Sequence, residues 1–190
     1  MSEQPTRGVR LQLSIIALVF FGPLLFATWM YQSGRLTPAA SSNNGDLLEP
    51  IVSLRVALPS SPLLPIDDGQ WVMLYANDAE CDSTCRGALY KLRQTRLMTG
   101  KEMRRITRVF LHGQTAPDKV FLEGEHPGLK TIRDEALMSL LEDKRPPGRM
   151  PGGIYLIDPL GNLVMYFPPD LEPRALVDDM KHLLKLSNIG

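Results

Sequence analysis

The side chains best suited to chemistry in this 190-residue chain are its two cysteines, Cys81 and Cys85. In Cys81-Asp82-Ser83-Thr84-Cys85 the thiols stand four positions apart. On a helix that spacing puts both on one face, one turn apart. With Cys81 just ahead of the first turn, the gap closes to disulfide range. A helix N-terminus favours a thiolate at Cys81 more than at Cys85. The neighbours oppose this, because Asp78, Glu80 and Asp82 repel a thiolate and Arg86 offsets them only in part. A thiol less acidic than that of a strong oxidase is expected. Two soft thiolates at this distance suit Cu(I). They can equally cycle between dithiol and disulfide, or form a plain structural bridge. The residues alone leave these three uses open.

Other chemistry is thinly represented. His112, His126 and His182 have no zinc-like spacing. His112 ends an apolar run and can lie near the cysteines or be a satisfied strand-end histidine. His126 falls in the loop Glu125-His126-Pro127-Gly128, and His182 falls on the solvent face of a final helix. Arg86–Arg108 holds eight basic residues and one acid, Glu102. A solvated helix face explains this run, with anionic lipid or an acidic partner as the alternative. No phosphate loop, nucleophile elbow or paired-carboxylate pattern appears. A formal net charge of zero argues against a nucleic-acid partner. Two cysteines are too few for a disulfide-stapled scaffold.

The elements that must position the pair follow from the apolar pattern. Trp71–Ala76 is a short apolar run, hence a buried strand. Ser83–Met98 has helical spacing, and Gly100 stops it. Ile106–His112 reads as a second strand and Leu129–Leu141 as a second helix. Ile154–Asp158 and Leu163–Phe167 are strands joined by Pro159-Leu160-Gly161-Asn162, a hairpin signal. Leu171–Leu186 is a final amphipathic helix. The order β-α-β-α-β-β-α, opening on a right-handed crossover, is that of an α/β, thioredoxin-like domain over residues 70–190. The cysteines fall where such a domain keeps its site, after the first core strand as a helix begins.

Ahead of this domain, Leu11–Tyr31 carries no charge across 21 positions, enough to span a bilayer core. Pro23 is tolerable in such a helix, and Trp29 and Tyr31 suit an aromatic belt. Arg7 and Arg10 precede the span and Arg35 follows it, which favours residues 1–10 in the cytoplasm and the domain outside. A cleaved signal peptide, with a site near Thr37-Pro38-Ala39-Ala40, is the competing reading, but the apolar stretch is long for one. Either way the domain faces an oxidising compartment, most simply a bacterial periplasm. Residues 32–50 read as a linker of Ser, Asn, Gly and Pro. Residues 51–69 read as an extended arm packed on the domain. About 20 flexible residues give a reach of roughly 25 Å from the membrane.

The site Cys81–Cys85, together with Ile154-Tyr155-Leu156-Ile157-Asp158-Pro159, resembles the Sco family. These are membrane-anchored, thioredoxin-fold proteins that help build the copper centre of cytochrome c oxidase. The run from Gln70-Trp71-Val72-Met73-Leu74-Tyr75 to Leu89-Tyr90-Lys91-Leu92-Arg93-Gln94 is also similar to a small protein encoded among bacterial cytochrome oxidase assembly genes. The resemblance implies Cu(I) on Cys81 and Cys85, and as partner an oxidase subunit or another copper-assembly factor. Sco proteins place a histidine ligand a few residues before the Ile-Tyr-Leu-Ile strand, and here that position is Met150. A thioether can complete a Cu(I) site but serves Cu(II) poorly. Pro151 stands where thioredoxin-like enzymes open this strand with a cis-proline facing the cysteines. In that role it favours disulfide exchange. The expectation is thus an oxidase assembly factor that binds Cu(I) or reduces a partner's cysteines. A general periplasmic thiol-disulfide oxidoreductase and a scaffold with a structural disulfide are the alternatives.

Overall fold

The computed structural model describes residues 7–32, 43–67, 69–115 and 117–187. The chain divides into two compact units at residues 42 and 43. The first holds helix α1 (Arg7–Gln32), of which Leu11–Met30 is long and apolar enough to cross a membrane. Its apolar side chains are exposed all round, from Leu11 to Trp29, which suits lipid rather than a protein core as its surroundings. The helix runs through Pro23. Most of residues 1–10 and 32–50, including Arg35 and the alternative cleavage site at 37–40, lie outside the described residues.

The second unit is a six-stranded mixed sheet with helices on both faces. Strand β1 (Asp46–Ser53) leads into two single-turn helices, α2 (Leu54–Ala57) and α3 (Leu64–Asp67). Strand β2 (Trp71–Asn77), helix α4 (Ser83–Met98), a 3-10 turn (Gly100–Arg105) and β3 (Ile106–His112) form the parallel crossover. Helix α5 (Lys119–Glu125), β4 (Leu129–Ile132), α6 (Glu135–Lys144), the hairpin β5 (Gly153–Ile157) and β6 (Asn162–Phe167), and α7 (Pro173–Leu186) complete it. The sheet order is β1-β6-β5-β2-β3-β4. Strand β2 is therefore central, parallel to β3 and antiparallel to β5.

Strand alternation explains the two cores. Trp71, Met73 and Tyr75 join Cys85, Leu89 and Leu92 of α4 and Leu176 and Met180 of α7 on one face. Val72, Leu74 and Ala76 join Leu137 and Leu141 of α6 on the other. Successive side chains of a strand point to opposite faces, so β2 feeds both layers and is buried from Trp71 to Ala76.

Three sequence expectations are corrected. Leu129–Leu141 is not one helix. Residues 129–132 form edge strand β4, parallel to β3, and Asp134 starts a new helix by accepting from the Leu137 N–H at 3.0 Å. An Asp at the N-cap satisfies an N–H that the helix itself cannot. The end of the linker reading, residues 46–50, belongs to β1, which pairs antiparallel with β6. That entry is fixed by Asp179 of α7, which accepts from the backbone N–H groups of Asn44 and Gly45 and from Asn44 Nδ2, each at 2.8 Å. The third correction concerns Pro151. The cis bond among the described residues is Glu49–Pro50, and Met150–Pro151 is not cis.

The hairpin turn follows the sequence signal. Asp158 Oδ1 accepts from the Leu160 and Asn162 N–H groups at 2.9 and 2.8 Å. Gly161 takes φ +84° there, a conformation that glycine adopts without a Cβ penalty.

Candidate functional site

Cys81 and Cys85 are joined by a disulfide, with their Cα atoms 5.1 Å apart. The local sequence builds this geometry. Strand β2 ends at Asn77, and α4 begins only at Ser83, so Cys81 lies ahead of the helix while Cys85 is in its first turn. Asp82 is the N-cap, and its carboxylate accepts from the Cys85 N–H at 3.0 Å. The two sulfurs differ in access. Cys85 is 0% exposed within the α4-side core, whereas Cys81 is half-buried at the edge of that core.

Asp82, between the cysteines in sequence, is exposed. Its charge reaches Tyr75, whose phenol is pushed up to about 12, by burial first and then by Asp82 and Tyr166. Tyr75 stays a neutral phenol beneath the pair. Sequence reading passed over it, although its place in the Trp71-Met73-Tyr75 alternation marks it as facing α4. The cation Arg86, one residue beyond Cys85, is 4.2 Å above the ring of Phe121.

The remaining candidates gather at the same end of the sheet. Register pairs Ala76 at the end of β2 with Gly153 at the start of β5, and Asn77 with His112 at the end of β3. A cavity of about 640 Å³ opens there, lined by Asp78, His112, Met138, Pro151, Gly152 and Tyr155 among others. Cys81, Cys85 and Met150 are not among its described lining. Gly113 forms part of the wall, and a Cβ there would run into the side chain and carbonyl of Asp78. Met150 is 74% exposed. The adjacent Arg149 is forked onto Asp46 of β1 through Nε and Nη2, at 2.9 and 3.1 Å. His112 Nδ1 lies 2.9 Å from the Gly113 carbonyl. His182 is exposed, as expected, while His126 is buried rather than a surface loop residue.

The arrangement has the parts for dithiol-disulfide exchange: one reachable sulfur, one shielded sulfur, and a helix N-terminus. Its fit to copper is narrower. The reduced pair would offer two thiolates within reach of one ion, which suits Cu(I). Among the described residues no group of three or more His, Cys, Asp or Glu side chains is placed to hold a metal.

A family model described as the transmembrane-like, thioredoxin-like C-terminal domain matches residues 71–187. A companion model, the transmembrane-like N-terminal domain, matches residues 4–34. No curated protein matches the sequence. Similar solved structures include yeast Sco1, 18% identical over 65% of this chain and 84% of that one, with a TM-score of 0.52. Yeast Sco1 with copper bound is 19% identical over 65% and 80%, with a TM-score of 0.51. Arabidopsis thaliana ScoI with copper bound is 17% identical over 65% and 88%, also at 0.51. These likenesses establish the thioredoxin-like α/β fold expected from the element order.

Proposed function

The chain belongs to the transmembrane-like, thioredoxin-like family, and from that membership we propose that it is a membrane-anchored thiol protein that keeps a client's cysteines reduced for copper insertion. The observation that carries this reading is the Cys81–Cys85 bond itself, with one sulfur accessible and the other buried. In the reduced protein, the Cys81 thiolate attacks a sulfur of a client disulfide and the client's other sulfur leaves as a thiolate. Cys85 then attacks Cys81 Sγ, the intramolecular bond re-forms, and the client's second thiol is released. Two electrons pass from the pair to the client. An external dithiol must return them.

The reading extends to the parts of the chain around the pair. Residues 1–10 would be cytoplasmic and 11–31 the span, with the redox domain, which β1 enters at Asp46, in a bacterial periplasm. Pro151 contributes as a wall residue of the neighbouring cavity, where a client segment would lie. The client is a cytochrome c oxidase subunit or another copper-assembly factor, in line with the resemblance to the Sco family and the copper-bound structures of similar fold.

A second reading has the reduced pair carry Cu(I) as cargo, with Met150 as third donor. Two thiolates on neighbouring positions would suit Cu(I) once the bond is reduced. The exposure of Met150 weighs against that donor. Reduced full-length protein in detergent, titrated with Cu(I), tests it. Affinity no tighter than about micromolar, roughly −8 kcal/mol, ends the cargo reading. Unchanged affinity in Met150→Ala removes Met150 alone. The reduction potential then tests the exchange reading: a value above about −180 mV, in the range of disulfide oxidants, would leave the pair unable to reduce a client, and a bond that a dithiol poised near about −270 mV cannot reduce would be a structural bridge. A general oxidoreductase would reduce unrelated disulfides as fast as those of oxidase copper subunits.

A further inference from the structure

The cavity of about 640 Å³ at the strand ends has a floor and a rim of different character. Its size is that of a ligand site. Its buried lining includes Ala76, Leu141 and Tyr155 of the α6-side core, and Met138 packs against them. The Tyr155 hydroxyl already donates to the Leu141 carbonyl at 2.8 Å, so the floor presents an apolar surface. The exposed lining includes the carboxylates Asp78, Glu135 and Glu142. Glu135 is paired with Arg133 at 2.7 Å, and Glu142 with Arg145 at 2.6 Å. Asp78 has no ion pair among the described residues.

One wall of the cavity runs on to the accessible cysteine. Asn77, Asp78 and Ala79 line it, and Cys81 follows two residues after Ala79. Two residues of chain reach at most about 7 Å, so Cys81 lies close beside that wall. The connection is held locally. Asn77 Oδ1 accepts from the Ala79 N–H at 3.3 Å, and Asn77 Nδ2 donates to the Ala79 carbonyl at 3.2 Å. The Asp82 N–H donates to the Glu80 carbonyl at 2.9 Å. Along this path every second residue is an exposed acid: Asp78, Glu80 and Asp82. Asp82 caps α4. The charges of Asp78 and Glu80 disfavour a Cys81 thiolate, so thiol chemistry does not account for their placement.

Resting on the reading that the pair reduces a client, we infer that the cavity seats an apolar side chain of the client polypeptide, about two to four residues from the client's cysteine, and that Lys or Arg between the two meets Asp78 and Glu80. An extended segment laid from the cavity to Cys81 passes these two carboxylates. Burial on the apolar floor gives such a segment affinity. The acidic path turns away segments of its own sign. A small cation would leave the floor unfilled, and a neutral apolar group would leave the acids unmatched.

Fluorescence anisotropy of labelled, cysteine-free peptides with the full-length protein in detergent tests the site at low ionic strength. One peptide carries a leucine followed by two lysines. A second has serine in place of the leucine, and a third has glutamates in place of the lysines. The expected result is saturable binding of the first, at least tenfold tighter than either of the others. Ser139→Trp, at an exposed position of the cavity lining, should weaken that binding at least tenfold. Asp78→Asn combined with Glu80→Gln should remove the preference for lysine over glutamate, and this exposed pair carries the test if Ser139→Trp does not fold. The peptides hold no cysteine, so their binding is read apart from electron transfer: binding by a protein that reduces no client disulfide ends the reductase reading and leaves the docking site standing. No saturable binding, equal binding of all three peptides, or unchanged binding in folded Ser139→Trp overturns the site.

Discussion

Cys81 and Cys85 share one disulfide, yet Cys81 is partly exposed, while Cys85, in the first turn of α4, is sealed in the core. Attack by or on the pair must therefore pass through Cys81. In reduced Cys85→Ala protein, Cys81 should react with iodoacetamide at least tenfold faster than Cys85 does in Cys81→Ala. The Cys85→Ala protein should also accumulate a mixed disulfide with a small disulfide probe, because no second thiol resolves it. Equal alkylation rates would refute the asymmetry.

Asp82 does two jobs that substitution can separate. It caps α4 through the Cys85 N–H, and it puts a negative charge on the residue next to Cys81. Asp82→Asn keeps a capping side chain and removes the charge. Asp82→Ala removes both, at a cost of about 1 kcal/mol of stability. Loss of a nearby negative charge favours the thiolate. The reduced Cys81 thiol should therefore titrate at lower pH in both variants, and the disulfide should become more oxidising. Thiolate absorbance against pH checks this. A drop in stability in Asp82→Asn matching that of Asp82→Ala would contradict the division of roles.

Helix α4 was legible in the sequence because its signals are local. Helical apolar spacing and a stop at Gly100 gave Ser83–Met98 to the residue. The hairpin Asp158–Asn162 was legible for the same reason. Strands β1 and β4 were not. The pairing of β1 is with β6, more than a hundred positions later in the chain, and β4 is four residues at an edge whose apolar spacing also fits the helix that follows. The helical period joined the two across Arg133-Asp134, where the Asp134 cap is the sign of a new start. At the site, the cysteines were readable by spacing. The burial of His126 was not, because it depends on α5 folding over β3. The outward position of Met150 depends on Arg149 engaging Asp46, a contact between residues 103 positions apart.

Asp179 holds the entry of β1 to α7 with three bonds of 2.8 Å while only 5% exposed. Bonds to a charged acceptor are stronger than neutral ones, and breaking them leaves two backbone N–H groups without partners. Asp179→Ala should cost about 3 kcal/mol in denaturant unfolding. It should leave Cys81 reactivity unchanged, since Asp179 lies on α7 and meets the entry of β1, not the loop that carries Cys81. A loss under about 0.5 kcal/mol, typical of a surface substitution, would show that the strand is held by its ladder alone.

His126 gives the domain a defined pH dependence. Burial holds its imidazole below the usual histidine range, and Arg108 pushes the same way. The unfolded chain takes up a proton near pH 6.5, before the folded protein does. Between that pH and the lower folded value, the unfolded state binds more protons, so stability rises with pH. The contribution is fully present above about pH 6.5 and is lost as the solution is acidified through the folded value. The Tm of the wild-type protein should fall on acidification below pH 6.5, and His126→Phe should flatten that slope. A slope that His126→Phe leaves intact would assign the acid sensitivity to other groups.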